Sequence, residues 1–174
     1  MTETTTARTL VLARHARAHN DAASDDAREL SVEGHADAAA IGRWLLASEF
    51  TFAAVVSSTS TRTRQTWTDI EASGVSAHEV RFDHRLYGGE AADLLAVLAE
   101  SPDSVSSLLL IGHSPAIPEL ADQLADPSAS DEAAIATLRS GFPSGSLAVL
   151  SVKGPWASLA PGNATLTEVA TPRA

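Results

Sequence analysis

Short apolar runs alternate along this chain with stretches in which apolar residues return every three or four positions. Runs of the first kind read as buried strands at residues 9–13, 53–57, 79–82, 107–111, 146–152 and 165–169. The second kind reads as helices packed on one face. Ala38, Ile41, Trp44 and Leu45 make one such stripe, and Ser31 stands where an N-cap belongs. A second helix opens at Ser58 or Thr59, passes through Thr66 and Ile70 and stops at Gly74. Further helices are predicted over 91–100, 117–125 and 131–139.

Strands that alternate with helices require crossover connections, so the pattern predicts a mainly parallel sheet covered on both faces, a three-layer α/β/α sandwich. Residues 125–131, 141–145 and 154–163 read as loops, and none is long enough to link domains. With 174 residues and 44% hydrophobic content the chain suits one core, so residues 1–174 are expected to form a single domain with frayed ends at 1–7 and 171–174. No apolar stretch nears the roughly 20 residues of a membrane helix, and the first seven residues lack the basic and apolar parts of a signal peptide. A cytoplasmic location is expected. The absence of cysteine excludes disulfides, thiolate nucleophiles and sulfur-bound zinc.

Charge sharpens the picture. The net charge is −10, with Lys153 the single lysine beside eleven arginines, which argues against nucleic acid or an anionic membrane as partner. Arg14, Arg17, Arg62 and Arg64 nevertheless crowd three segments at strand ends, where open α/β sheets bind ligands. The first is Arg14-His15-Ala16, after an apolar run. The second is the hydroxyl-rich stretch from Ser57 to Thr66, which holds Arg62 and Arg64 in a predicted first helical turn. A cation there opposes the helix dipole by about 0.3–1 kcal/mol, so an anion nearby would satisfy it. The third is Gly112-His113-Ser114-Pro115.

In this order and spacing, the three segments resemble those of the histidine phosphatase (phosphoglycerate-mutase-like) superfamily, and the short SixA-type phosphohistidine phosphatase branch in particular. The run from Asp25 to Gly34, with Arg28, Leu30 and Ser31 within it, and the pair Leu86-Tyr87 are similar to further motifs of that branch. The resemblance implies His15 as the nucleophile that takes the phosphoryl group. It implies Arg14, Arg62 and His113 as holders of the phosphoryl oxygens, a phosphohistidine intermediate, and no metal or other cofactor. Such chemistry needs one free imidazole nitrogen, with the other protonated and oriented by an acceptor.

Many members of the wider superfamily carry a glutamate general acid on the segment that here reads Phe82-Asp83-His84-Arg85-Leu86-Tyr87-Gly88. His84 stands in its place with Asp83 beside it, and these two are the candidate acids. A missing acid favours a leaving group that departs easily, such as the imidazole of phosphohistidine. A phosphorylated protein is therefore the expected partner, with a small phosphomonoester or anhydride as the alternative. A non-catalytic phosphate-binding module is the reading from another class, and the intact His15 argues against it. Short connections between Phe82 and Leu94 predict an open pocket without a lid.

Other readings of these residues fare worse. His15 and His113 taken singly could be ordinary strand-end histidines, and Arg14 could bridge to Asp25 or Asp26; their conjunction at three strand ends weighs against this. A serine-hydrolase elbow at Ser114 fails because Pro115 has no N–H for an oxyanion hole. A metal site on His15 and His19 lacks a further ligand at suitable spacing. Arg17, Asn20 and Arg64 are expected to be solvated or supporting, and His19, His35 and His78 to lie on the surface.

Overall fold

A computed structural model describes residues 6–174. The strands are β1 (Arg8–Arg14), β2 (Phe52–Ser57), β3 (Ala77–Phe82), β4 (Ser107–Gly112), β5 (Leu147–Val152) and β6 (Ala164–Ala170). The helices are α1 (Val32–Ala47), α2 (Thr61–Ala72), α3 (Ala91–Ala99), α4 (Ala116–Leu124) and α5 (Glu132–Ser140). Short 3-10 turns lie at His84–Leu86 and Trp156–Ser158. One six-stranded sheet runs in the order β3-β2-β4-β1-β5-β6, with β5 antiparallel to both its neighbours and the other pairings parallel.

The strand period of two decides the layers. Along β1, Leu10 and Leu12 join the core beneath α3, α4 and α5, whereas Val11 and Ala13 join the core beneath α1 and α2. β4 repeats the division, with Leu108 and Leu110 on the first face and Leu109 and Ile111 on the second. Both faces are thus covered, as the apolar runs required. Parallel pairing sets Arg14 opposite Gly112, so the residues that follow the two strands emerge side by side.

Two expectations are corrected. The second helix begins later than Ser58, because Ser58 N–H still bonds to Ile111 O at 3.0 Å and the N-cap is Ser60, whose hydroxyl accepts from Thr63 N. The segment 171–174 is docked rather than frayed. Thr171 pairs with Ser146 through their hydroxyls at 2.9 Å, and Arg173 donates to Ser144 O at 3.0 Å and to Asp37 at 3.3 Å. Those partners come from distant parts of the chain, so no local pattern announces them. The expected fraying of residues 1–5 lies outside the described residues; Thr6 and Ala7 are exposed and irregular.

Candidate active site

The parallel register of β1 and β4 brings His15 and His113 together, with ring centroids 5.3 Å apart. His15 N–H bonds to Gly112 O at 3.0 Å and so continues the ladder one step beyond the strand. Its Nδ1 lies 2.7 Å from Ala16 O, which can only accept, so Nδ1 carries the proton and Nε2 keeps its lone pair. Nε2 in turn faces Arg62 Nε at 3.3 Å. Burial, helped by the neighbouring cations, pushes the His15 pKa down to about 3 and holds the ring neutral at physiological pH.

Arg62 stands in the first turn of α2 and is only 6% exposed. Its guanidinium reaches Asp25 O at 2.7 Å, Asp25 Oδ2 at 3.1 Å and His113 Nδ1 at 3.3 Å. The anion that the helix dipole argument calls for is thus partly supplied from within, by Asp25. Since Arg62 donates to His113 Nδ1, the proton of His113 sits on Nε2, where it meets Ser58 Oγ at 2.9 Å. Burial first and Arg62 second push the His113 pKa down to about 4, so this imidazole is neutral until an anion arrives beside it.

Arg14 donates to Phe142 O at 3.0 Å, while its Nε is buried without a hydrogen-bond partner among the described residues. A buried guanidinium N–H of this kind is costly unless an acceptor comes to it. Burial and the nearby Arg62 also lower the Arg14 pKa. Arg14 forms no bridge to Asp25 or Asp26; Asp25 bonds instead to Arg62, Arg28 and Tyr87. A cleft of about 440 Å³ opens beside His15, lined by Arg14, Arg17, Asn20, Arg28 and Ser144.

The side chains of the candidate acids make no hydrogen bond to this cluster among the described residues. Asp83 accepts from Arg85 Nη2 at 2.7 Å and lies 3.6 Å from Arg81, and the bonds to Arg85 hold its pKa near 2. A carboxylate so held is ionised at neutral pH and has no proton to give, which corrects the expectation for Asp83. His84 is exposed, and its imidazole makes no hydrogen bond among the described residues. Arg64 bonds to Thr59 O and covers the Phe82 ring at 4.0 Å, a supporting role as expected. Arg17 and Asn20, expected on the solvated surface, are exposed but line the cleft. His35 pairs with Asp69 at 2.6 Å, away from these residues.

Three site contacts escaped sequence reasoning. Asp25 anchors Arg62, Ser58 fixes His113, and Tyr87 sets its ring against His113 at 5.7 Å while its hydroxyl donates to Asp25 at 2.7 Å. The only signal for them was their presence within the motifs. Behind His15, Thr66 Oγ1 accepts from Ala16 N–H at 3.1 Å and Gln65 Oε1 from Leu30 N–H at 2.7 Å, fastening both ends of the 16–30 segment to α2.

An imidazole with a free nitrogen, two guanidiniums and a second imidazole lie close enough to act on one another's charge, a set of groups suited to phosphoryl transfer to histidine. Residues 10–89 match the histidine phosphatase superfamily (branch 1). An uncharacterised protein of Mycobacterium tuberculosis is 37% identical over 161 residues, spanning 92% of this chain and 99% of the relative. A solved structure provisionally designated phosphohistidine phosphatase SixA, from Nakamurella multipartitia, is 40% identical with a TM-score of 0.86, covering 97% of this chain and 98% of that one. The protein histidine phosphatase SixA complexed with tungstate shares the fold at 23% identity, with a TM-score of 0.77 and coverage of 94% of this chain and 97% of that one. The chain belongs to the histidine phosphatase superfamily, in its SixA-type branch. It is a phosphatase.

Proposed function

We propose that this protein hydrolyses phosphohistidine on a protein partner through a covalent phosphohistidine at His15 and without a metal. The observation that carries the reading is the His15 tautomer: Nδ1–H is tied to Ala16 O at 2.7 Å, and the Nε2 lone pair faces the Arg62 fork. In the first step Nε2 attacks phosphorus and a P–N bond forms as the bond to the leaving imidazole breaks. The departing nitrogen keeps the electron pair and is protonated from solvent. Arg14 and Arg62 hold the equatorial oxygens, and His113 becomes cationic when the phosphoryl charge offsets the burial that keeps it neutral. Water then attacks phosphorus, the P–N bond to His15 breaks, and inorganic phosphate leaves.

Asp83, held ionised by Arg85, has no proton to give a leaving group, which supports an easily expelled imidazole over an alkoxide. Phosphate release from a phosphohistidine peptide and from p-nitrophenyl phosphate, both in EDTA, tests the reading. Wild type should prefer the peptide and His15→Ala should release no phosphate from either. A preference for the ester would make the protein a small-molecule phosphatase, and unchanged turnover by His15→Ala would remove His15 as nucleophile.

A further inference from the structure

Two clefts of opposite charge flank the histidine pair. The cleft beside His15, about 440 Å³, has Arg14, Arg17 and Arg28 in its wall and no carboxylate. The other, about 560 Å³, begins one residue past Tyr87 and two past His113; its wall holds Gly88, Glu90, Pro115, Ala116 and Glu119 and no cation. In a chain of net charge −10, an arginine-lined cleft free of acids is unusual enough to call for an anionic occupant. Its cations are not equivalent. Arg28 is committed to Asp25, His19 O and Asn20, and Arg14 reaches Phe142 O and borders the nucleophile. Arg17 is exposed, and its side chain makes no hydrogen bond or ion pair among the described residues, the Glu33 carboxylate acting on it only through longer-range charge. Glu119, in the first turn of α4, is likewise exposed and unpaired among them.

We propose that these clefts read the charge of the polypeptide on either side of the phosphorylated side chain, Arg17 taking an anionic residue on one flank and Glu119 a cationic residue on the other. The proposal rests on the phosphohistidine reading above. A single phosphoryl group uses Arg14, Arg62 and His113, which leaves Arg17 and Glu119 free for the segment that carries it. Small side chains at Gly88 and Ala116 leave room for that segment near the His113 end. Complementary charge at such rims acts mainly on encounter and orientation, so it should appear in kcat/KM and fade with salt.

Three phosphohistidine peptides decide the matter: one with neutral flanks, one acidic on the N-terminal side and basic on the C-terminal side, and one with those charges reversed. At low salt, one charged peptide should exceed the neutral one by about two- to five-fold in kcat/KM per flank, the scale of exposed ion pairs, and the reversed peptide should fall below it. Arg17→Glu combined with Glu119→Lys should transfer the preference to the reversed peptide. Ratios between peptides within one variant cancel any loss of folded protein. Equal turnover of all three peptides by wild type would overturn the charge-reading proposal and leave the phosphohistidine reading standing. Turnover of p-nitrophenyl phosphate, dependent on His15, with none of any phosphohistidine peptide would overturn both.

Discussion

Arg62 ties this site together, since one guanidinium touches His15, His113 and the Asp25 carboxylate. Asp25 is more than half exposed, so its grip is worth less than a buried pair would be, yet three donors converge on it and hold its pKa well below the usual carboxylate range. In the proposed reaction it would orient Arg62 toward the phosphoryl oxygens. Asp25→Asn should lower kcat/KM by roughly three- to ten-fold, corresponding to about 0.5–1.5 kcal/mol, with weaker tungstate binding measured by calorimetry. Unchanged tungstate affinity would show that Arg62 is placed without it. His15, Arg14, Arg62 and His113, which the fold brings together, were all legible as residue types at strand ends. Asp25, Ser58 and Tyr87 were not assigned roles, because their partners lie 37 to 62 positions away in the chain, as in the bonds Arg62 to Asp25 (37), His113 to Ser58 (55) and Tyr87 to Asp25 (62), together with the His15 and Arg62 pair (47) that they support.

At the scale of elements, α1 starts where the site segment crosses it. Ser31 N–H bonds to Arg17 O at 3.0 Å, and a Cβ added to Gly34 would lie 1.9 Å from that same oxygen. Gly34 is therefore a contact glycine that lets the helix pass beneath the chain leaving His15. Gly34→Ala must push the two apart; it should destabilise the protein by about 1–3 kcal/mol in urea unfolding. A urea midpoint equal to wild type would mean the segment yields freely. Apolar period alone located the strands and helices to within a few residues. It passed over Trp156, read as part of a loop, which is fully buried with its indole N–H on Val105 O at 2.8 Å. One aromatic residue in a Gly- and Pro-bounded stretch has no period, so only its distant partners reveal it as core.

For the whole molecule, burying two neutral imidazoles at the sheet edge links stability to pH. In the unfolded chain both take up a proton near pH 6.5, while in the fold they do so only near about 3 for His15 and about 4 for His113. The unfolded state therefore binds more protons between those limits, and stability, complete above about pH 6.5, falls as pH drops toward 4. Carboxylates with lowered pKa, Asp25, Asp83, Glu33, Glu100 and Asp126, lose their contribution only below their ordinary values of 3.8 to 4.5, so the window from 6.5 to 4.5 belongs to the histidines. The Tm of wild type should decline across that window, and the His15→Gln, His113→Gln double variant should decline less; parallel curves would show that neither ring is buried neutral. What the sequence by itself determined is local in origin: periodic apolar residues set strands and helices, their alternation set a sandwich, and strand-end residue types set phosphoryl chemistry. The strand order, the β1 and β4 register that brings His15 beside His113, the tautomer of His113 and the docking of residues 171–174 were decided by tertiary structure. Each depends on contacts between residues far apart in the chain, whose pairing emerges only when the sheet assembles and its two faces are buried.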